Sequence, residues 1–415
     1  MTHRRISATA LRLASGLLVG ATVLSFAPIA EAAPGRPLAV SAARQDAAAL
    51  QQDLRALVAD GGATGALAEL REDGRPVWRG SAGVADLGAG RPVPVQGRFR
   101  IGSVTKTFVA TVVLQLRAEG RVNLDDSIES YLPGVVPGGG AITVRQVLSH
   151  TAGIFNYTED PTAVPQDESG WLAYLATGRW ETRRPEDLVR TAVGHPPYFA
   201  PGQGWHYSNT DYILAGMLIE YVTGRPWAEE VRERILDPLG LHHSSFPETD
   251  TEVPGPHAHG YLQLSTGPAD ITEFNPSWAG SAGDGISTAD DLARFNAALL
   301  GGELLRPAEL AEMKTISPAA APGEYGLGLQ KFSVGCGDLW GHSGSVPGYE
   351  TLVVGDPSGH RQLVISVTPY DQSKAGALAS AGAKLLDQAA CGRSTGSARP
   401  ALGSTTWDVA GIGQR

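Results

Sequence analysis

Strand-forming segments stand at both ends of this chain, and a long region of helices and loops separates them. Near the N-terminus, segments 64–70 and 76–80 flank Glu72-Asp73-Gly74, in which Asp-Gly favours a tight hairpin turn. Because strands are stable only when they are paired, we expect one sheet assembled from the two ends of the chain. From residue 325 the pattern changes to strands again, at 325–332, 338–341, 350–355 and 362–368.

Apolar residues at helical spacing predict the helices that cover this sheet. Leu50, Leu54 and Leu57 mark a helix over 47–59, and Thr288 is an N-cap signal for a helix at 289–299. Further helices are predicted at 107–116, 212–221, 227–235 and 374–390. The predicted class is therefore α/β (α+β), with an antiparallel sheet flanked by helices and an inserted, mostly helical lobe.

These patterns place one folded domain at 46–392. We expect its sheet lobe at about 46–118 and 286–392, and its helical lobe at about 119–285. The Pro/Ala-rich segment 33–45 is expected to be flexible, and the Ser/Thr/Gly-rich segment 393–415 is expected to be a disordered tail.

The first 32 residues have the pattern of a secretory signal peptide. Arg4, Arg5 and Arg12 precede an apolar run from residue 13 to residue 27, and Ala30-Glu31-Ala32 is a small-x-small cleavage signal. We therefore expect cleavage near Ala32 and a secreted mature protein.

Charge and cysteine content narrow the function classes. The formal net charge is −10, and loss of residues 1–32, with three Arg and one Glu, makes it −12. Such an acidic chain is a poor non-specific ligand for nucleic acid or anionic membranes, and no segment beyond the N-terminus approaches a transmembrane length. Cys336 and Cys391 suggest one disulfide in an exported chain; free thiols or intermolecular bridges are the alternatives.

The strongest local signal for chemistry is Ser103-Val-Thr-Lys106. It lies where the strand-like residues 99–101 give way to the apolar helix at 107–116, which puts Ser103 at a helix N-terminus. Residues three apart share one helical face, so the Lys106 amine is within reach of the Ser103 hydroxyl. A base beside a serine on a rigid element is what an activated nucleophile requires.

Two further motifs complete a candidate constellation. In Tyr207-Ser208-Asn209 a phenol and a carboxamide are two residues apart, so that the phenol can pass a proton and the amide can hold a substrate carbonyl or a lysine. In His342-Ser343-Gly344-Ser345, on or beside a predicted strand, the glycine admits close approach to a backbone whose N–H groups can face an oxyanion.

In this order and in these contexts, the three motifs resemble the S-x-x-K, Y-x-N and K/H-[ST]-G signature of the serine penicillin-recognising enzymes. The similarity covers roughly 45–392 and is greatest to the branch with secreted D-alanyl-D-alanine carboxypeptidases, class C-like β-lactamases and esterases. It implies a β-lactamase/transpeptidase-like fold. Other stretches similar to that family are Leu148-Ser149-His150-Thr151-Ala152-Gly153, Pro201-Gly202, Gly285-Ile286-Ser287-Thr288 and Tyr325-Gly326-Leu327-Gly328-Leu329.

The resemblance implies a role for each motif. Ser103 attacks a carbonyl to form an acyl-enzyme, while Lys106 and Tyr207 relay the proton, with Lys106 keeping the phenol acidic; which of the two is the base stays open. The N–H groups of Ser103 and Ser345 form the oxyanion hole. The expected substrate-binding residues are Asn209, which holds the substrate amide, His342, which supplies positive charge or a donor, and Ser343, Gly344, Ser345, Trp278 and Gln330.

Two features bear on the branch within this family. His342, in place of the usual lysine of β-lactamases, and the placement of Cys336 and Cys391 resemble the secreted carboxypeptidases. Those enzymes, however, carry an arginine near residue 330 that grips the substrate carboxylate. Gln330 offers no charged, bidentate fork there, and Lys331 faces the other side of the strand.

The leading hypothesis is a secreted D-alanyl-D-alanine carboxypeptidase acting on peptidoglycan stem peptides and acylated by β-lactams. The alternatives are an esterase, a β-lactamase or a D-amino-acid amidase of the same fold, and a penicillin-binding protein without turnover. We expect a small peptide or ester substrate, no metal or other cofactor, no nucleic-acid partner, no membrane span and a monomer.

Overall fold

The computed structural model describes residues 47–392, so the expectations for 1–32, 33–45 and 393–415 lie outside the described residues. Its helices are α1 (Ala47–Ala59), α2 (Thr105–Ala118), α3 (Val144–Leu148), α4 (Glu168–Ala176), α5 (Pro185–Val193), α6 (Asn209–Thr223), α7 (Trp227–Val231), α8 (Asp237–Leu239), α9 (Ala289–Leu300), α10 (Pro307–Met313) and α11 (Ala375–Cys391). Its strands are β1 (Gly65–Glu72), β2 (Arg75–Gly83), β3 (Phe99–Arg100), β4 (Tyr261–Leu264), β5 (Gly267–Asp270), β6 (Ile286–Ser287), β7 (Gln330–Val334), β8 (Gly337–Val346), β9 (Tyr349–Gly355) and β10 (Arg361–Thr368).

The main sheet joins the two ends of the domain, as the strand pattern predicted. Its six strands run in the order β2-β1-β10-β9-β8-β7, and every neighbouring pair is antiparallel. Between β1 and β2, Asp73 and Gly74 both have positive φ, 48° and 73°, which is the conformation that the predicted Asp-Gly turn requires.

Two apolar cores lie against this sheet, because alternate residues of its strands face opposite sides. On β9, Leu352 and Val354 pack with Leu50 of α1 and Leu385 of α11. Val353 belongs instead to the larger core around α2, α6 and α9. The sheet therefore has the terminal helices on one face and the helices that carry the catalytic motifs on the other.

One strand prediction is wrong in its bounds. Segment 325–329 forms a turn rather than the first half of a strand, since the Gly326 N–H donates to the Leu329 carbonyl and Gly328 has a φ of 71°. The paired strand begins only at Gln330, opposite Gly341. The small hairpin of β4 and β5 was not predicted, and the helix expected at 227–235 changes to a π-helical turn at Arg232–Leu236.

The cysteine prediction is confirmed: Cys336 and Cys391 form an intramolecular disulfide. It ties the turn between β7 and β8 to the last residue of α11. No helix within residues 47–392 is long and apolar enough to cross a membrane.

Candidate active site

Ser103 lies in a tight turn between β3 and α2. Residues Gly102–Val104 form a 3₁₀ turn, and the α-helix begins at Thr105, two residues later than the nucleophile. Gly102 has a φ of 52°, and a Cβ atom there would lie 2.6 Å from the Ser345 nitrogen. Only glycine permits this approach, and the approach puts the backbone of Ser345 beside that of Ser103.

Gly344 on β8 also permits the close approach between the backbones of Ser345 and Ser103. A Cβ atom on Gly344 would lie 1.9 Å from the Ile101 carbonyl oxygen and 3.0 Å from the Ser103 nitrogen. Strand β8 and the Ser103 turn therefore meet backbone to backbone. This is the juxtaposition that two N–H groups facing one oxyanion require.

Lys106 is fully buried, and its Nζ has three polar neighbours. It lies 2.9 Å from Ser103 Oγ, 2.8 Å from Asn209 Oδ1 and 2.7 Å from the Ala282 carbonyl oxygen. Burial lowers the pKa of Lys106 well below its usual value. A neutral amine fits these neighbours, because its two N–H bonds serve the two acceptors and its lone pair faces the Ser103 hydroxyl.

Asn209 is the first residue of α6, and the loop before it fixes the orientation of its amide. Its Nδ2 donates to Asn156 Oδ1 at 3.3 Å and to Thr158 Oγ1 at 3.2 Å, and its backbone N–H donates to Asn156 Oδ1 at 3.0 Å. The carbonyl oxygen therefore points to Lys106. Of the two functions that the motif allowed for this amide, the structure shows the one toward lysine.

Tyr207 stands over the amine, with its ring centroid 4.8 Å from Lys106 Nζ, and its hydroxyl is hydrogen-bonded to Ser103. Burial raises the pKa of Tyr207 above its usual value, and the hydrogen bond to Ser103 opposes this only in part. The expectation that Lys106 keeps the phenol acidic is therefore wrong for the free protein, since a buried, neutral amine supplies no stabilising charge to a phenolate.

His342 lies on β8, as predicted, but its ring is buried rather than directed at the cleft. Its Nδ1 donates to the Ser343 carbonyl, and its Nε2 accepts from the Tyr325 hydroxyl at 2.8 Å. Burial lowers the pKa of His342 to about 3. The expectation of a positive charge at His342 is therefore wrong, and both ring nitrogens are already occupied by the protein.

The remaining predicted residues occupy different settings. Ser343 and Ser345 are partly exposed on the same side of β8. Gln330 is half-buried at the start of β7, where its Nε2 lies 3.5 Å from the Gly323 carbonyl oxygen. Trp278 is only 8 % exposed and belongs to the core around α2, so its side chain packs inside the protein.

Sequence reasoning gave no role to three residues that line this site: His150, Asp211 and Tyr325. All are buried, and the rings of Tyr207 and Tyr325 lie 4.3 Å and 4.8 Å from that of His150. His150 and Tyr325 stand in stretches already noted as similar to the family, which was the available signal. Their contacts depend on tertiary packing and could not be read from the motifs.

A buried lysine beside a serine on a helix N-terminal turn, with a tyrosine over both, defines the class of serine acyl-transfer sites. The sequence profile of the Beta-lactamase family matches residues 50–385. The chain belongs to this family, and its β-lactamase/transpeptidase-like fold and antiparallel sheet confirm the predicted fold class.

Among solved structures, a D-stereospecific amidohydrolase from Streptomyces sp. is 41 % identical, with a TM-score of 0.73, over 84 % of this chain and 99 % of that one. D-amino acid amidase from Ochrobactrum anthropi SV3 is 29 % identical, with a TM-score of 0.68, over 77 % and 91 % of the two chains.

Curated relatives carry other activities in their names. Esterase EstB of Burkholderia gladioli is 29 % identical over 71 % of this chain and 76 % of its own length. Penicillin-binding protein 4* of Bacillus subtilis is 27 % identical over 68 % of this chain, but the match spans only 63 % of that protein's length. The family thus establishes a serine hydrolase, and the relatives divide over its substrate.

Proposed function

We propose that this protein is a serine amidohydrolase that cleaves amides or esters of D-amino acids through an acyl-enzyme at Ser103. The observation that carries the substrate class is the neutral side chain of Gln330 at the position where a carboxypeptidase needs a cation. The D-stereospecific amidohydrolase and the D-amino acid amidase support the same choice, because the alignments cover 99 % and 91 % of those chains.

The acylation step follows from the contacts around Lys106. The lone pair of the neutral amine takes the Ser103 proton as Oγ attacks the substrate carbonyl, and the carbonyl oxygen becomes the oxyanion faced by the N–H groups of Ser103 and Ser345. The Tyr207 hydroxyl then delivers a proton to the leaving amine or alcohol and is reprotonated from Lys106. Water repeats the sequence in reverse to release the acid.

The β7 side of the site favours an uncharged leaving group. Gln330 offers an amide rather than a guanidinium, and the neighbouring Lys331 lies 3.4 Å from Glu324 Oε1 and 3.9 Å from Asp338 Oδ2. Its charge is thus balanced by two carboxylates. A free C-terminal carboxylate would find no unengaged cation from either residue, whereas a carboxamide or an ester needs none.

D-alanyl-D-alanine carboxypeptidase activity is the second candidate. The similarity to penicillin-binding protein 4* and to putative penicillin-binding protein PbpX of Bacillus subtilis, 28 % identical over 70 % of this chain, favours it. On this reading Ser343 and Ser345 bind the carboxylate through their hydroxyls, and β-lactams acylate Ser103.

One set of rates separates the two candidates. Purified protein is assayed on D-phenylalanine amide, its L enantiomer, a D-phenylalanine ester and a peptide ending in D-Ala-D-Ala, with Ser103→Ala as the blank. We expect turnover of the D-amide and D-ester, at least tenfold preference over the L-amide, and slow peptide cleavage. Faster release of D-Ala from the peptide than of ammonia from the amide would establish the carboxypeptidase instead.

We further infer that the protein acts outside the cytoplasm as a monomer, whose domain consists of a sheet lobe and a helical lobe. The charged and apolar pattern of residues 1–32 supports this, as does the disulfide between Cys336 and Cys391. N-terminal sequencing of protein from the culture medium should begin near Ala33. Retention of the full-length chain inside the cell would contradict export.

A further inference from the structure

His150 contacts the Tyr207 segment on both sides. It is fully buried and has a φ of 60°, in the left-handed region that only a few per cent of residues other than glycine adopt. Its carbonyl oxygen accepts from the His206 N–H at 3.1 Å. The unusual backbone of His150 thus faces the residue that precedes Tyr207.

The imidazole of His150 holds the residue on the other side. Its Nδ1 accepts from the backbone N–H of Ser208 at 3.3 Å, and its ring centroid lies 4.3 Å from that of Tyr207. One residue therefore fixes the backbone before Tyr207, the ring of Tyr207 and the backbone after it. The Tyr207 hydroxyl has to meet Ser103 and the leaving group, so its position depends on this support.

Asp211 completes the arrangement from the first turn of α6. Its Oδ2 lies 3.0 Å from the same Nδ1 of His150, and both residues are buried. Since the Ser208 N–H can only donate, Nδ1 offers it a lone pair and carries no proton. We assign the short contact with Asp211 to a carboxyl O–H that shares this single lone pair with the Ser208 N–H, which makes Asp211 an uncharged acid.

We propose that His150, held by protonated Asp211, is a positioning residue that sets the place of the Tyr207 hydroxyl in the proton relay. The proposal rests on the function proposed above for Tyr207. It assigns a buried histidine that touches no reacting atom to the geometry of catalysis. The titratable groups packed around the pair are Lys106, His206, Tyr207, Tyr212, Tyr325 and His342.

Three substitutions distinguish the effect of the His150 hydrogen-bond acceptor on catalysis from the effect of its aromatic ring. His150→Asn keeps an acceptor close to the place of Nδ1 and tolerates positive φ, His150→Phe keeps the ring without the acceptor, and His150→Ala removes both. We expect the Phe and Ala variants to lose about 100-fold in kcat on a D-amide with KM within about threefold, since misplaced catalytic groups lose rate rather than binding. The Asn variant should recover at least tenfold of that loss.

The matched control is Tyr349→Phe, which removes the hydrogen bond from a buried hydroxyl to the Ala258 carbonyl, at 2.8 Å. It should lower Tm without lowering kcat. A kcat of His150→Ala within threefold of wild type, or no recovery in His150→Asn, would overturn the proposal. Tyr207→Phe is measured alongside, because full activity in that variant would refute the relay itself rather than the role of His150.

The protonation of Asp211 has its own readout, the pH at which kcat/KM falls to half on the acid side. If Asp211 is uncharged, Asp211→Asn supplies an equivalent N–H donor, and this midpoint stays within about 0.3 units of wild type. An ionised Asp211 would hold up the pKa of Lys106, so its loss would lower the midpoint by about one unit or more. That shift would overturn the assignment of the acid.

Discussion

Two sides of this site differ in how firmly their side chains are held. The Ser103 side is formed by Ser103, Lys106, Tyr207 and Asn209, and the β7 side by Gln330 and Lys331. On the Ser103 side, the buried Lys106 Nζ has three polar neighbours at 2.7 to 2.9 Å. On the β7 side, the Gln330 side chain is half-buried, and its Nε2 lies 3.5 Å from the Gly323 carbonyl oxygen. The groups that break the bond are thus held by mutual contacts, whereas Gln330, to which we assign the substrate choice, is held only loosely.

The largest expected effect is at the centre of the Ser103 side. Lys106→Met should lower the rate of acylation by about 10⁴-fold, because it removes the only amine that faces the Ser103 hydroxyl within residues 47–392. Stopped-flow acylation by a D-amino-acid ester measures this rate. Lys331→Met, the matched control on the β7 side, should acylate at the wild-type rate, and a loss below tenfold in Lys106→Met would contradict the assignment of the base.

The next effect tests whether the relay belongs to the same rigid side. Tyr207→Phe should lower kcat by about 10²- to 10³-fold on a D-amide and by less on an activated ester, whose leaving group needs no proton. Tyr157→Phe is the control, since that buried hydroxyl donates to the Trp278 carbonyl instead. Equal losses on amide and ester would show that the hydroxyl orients the serine rather than protonating the leaving group.

The features that could be predicted are those that short stretches of the sequence specify. Three-residue spacing placed Lys106 against Ser103, and the Asp73-Gly74 turn and the Thr288 cap followed from the conformational preferences of those residues. The family resemblance brought in Tyr207 and Asn209, which are about 100 residues away in sequence. None of these required knowledge of how the rest of the chain packs.

What was missed depends on burial and on long-range contacts. The sequence shows a histidine at 342, but only the packed structure surrounds it with Tyr325 and the Ser343 carbonyl and so leaves it uncharged. The strand expected from residue 325 failed for a related reason, since Gly328 takes a positive φ and packs close to Lys106 and Tyr212. The alternation of residues along the sequence shows neither the burial of His342 nor the positive φ of Gly328.

An acid titration tests whether the buried His342 side chain on β8 is uncharged, as the buried Lys106 amine is. The pKa of His342 is about 3 when folded and near 6.5 when unfolded, so between these values only the unfolded chain binds the proton. The free energy of unfolding should therefore fall as the pH drops below 6.5. From pH 7 to pH 4.5, we expect urea denaturation to show about 2 kcal/mol less loss in His342→Gln than in wild type.

The glutamine retains an acceptor for the Tyr325 hydroxyl, so the comparison isolates the titration. Other groups with lowered pKa, such as the buried His150, are present in both proteins and cancel in the difference. Parallel pH curves for the two proteins would mean that His342 is already protonated in the folded state. His342 would then carry a positive charge on β8 although its side chain is buried.

The smallest expected effect is the one that decides the substrate. Gln330→Arg places a bidentate cation on the β7 side, and kcat/KM for a peptide ending in D-Ala-D-Ala should rise about tenfold, because a charged hydrogen bond to the carboxylate is worth about 1.5 kcal/mol or more. The rate on a D-amide should change much less, since that substrate has no carboxylate. Lys331→Arg is the control: it keeps the same charge on the opposite face of β7, beside Glu324 and Asp338, and should leave both rates as they are. An equal rise in kcat/KM on peptide and amide would indicate a general change in the cleft. No rise on the peptide would mean that Gln330 does not determine the substrate, and the Ser343 and Ser345 hydroxyls would take that role.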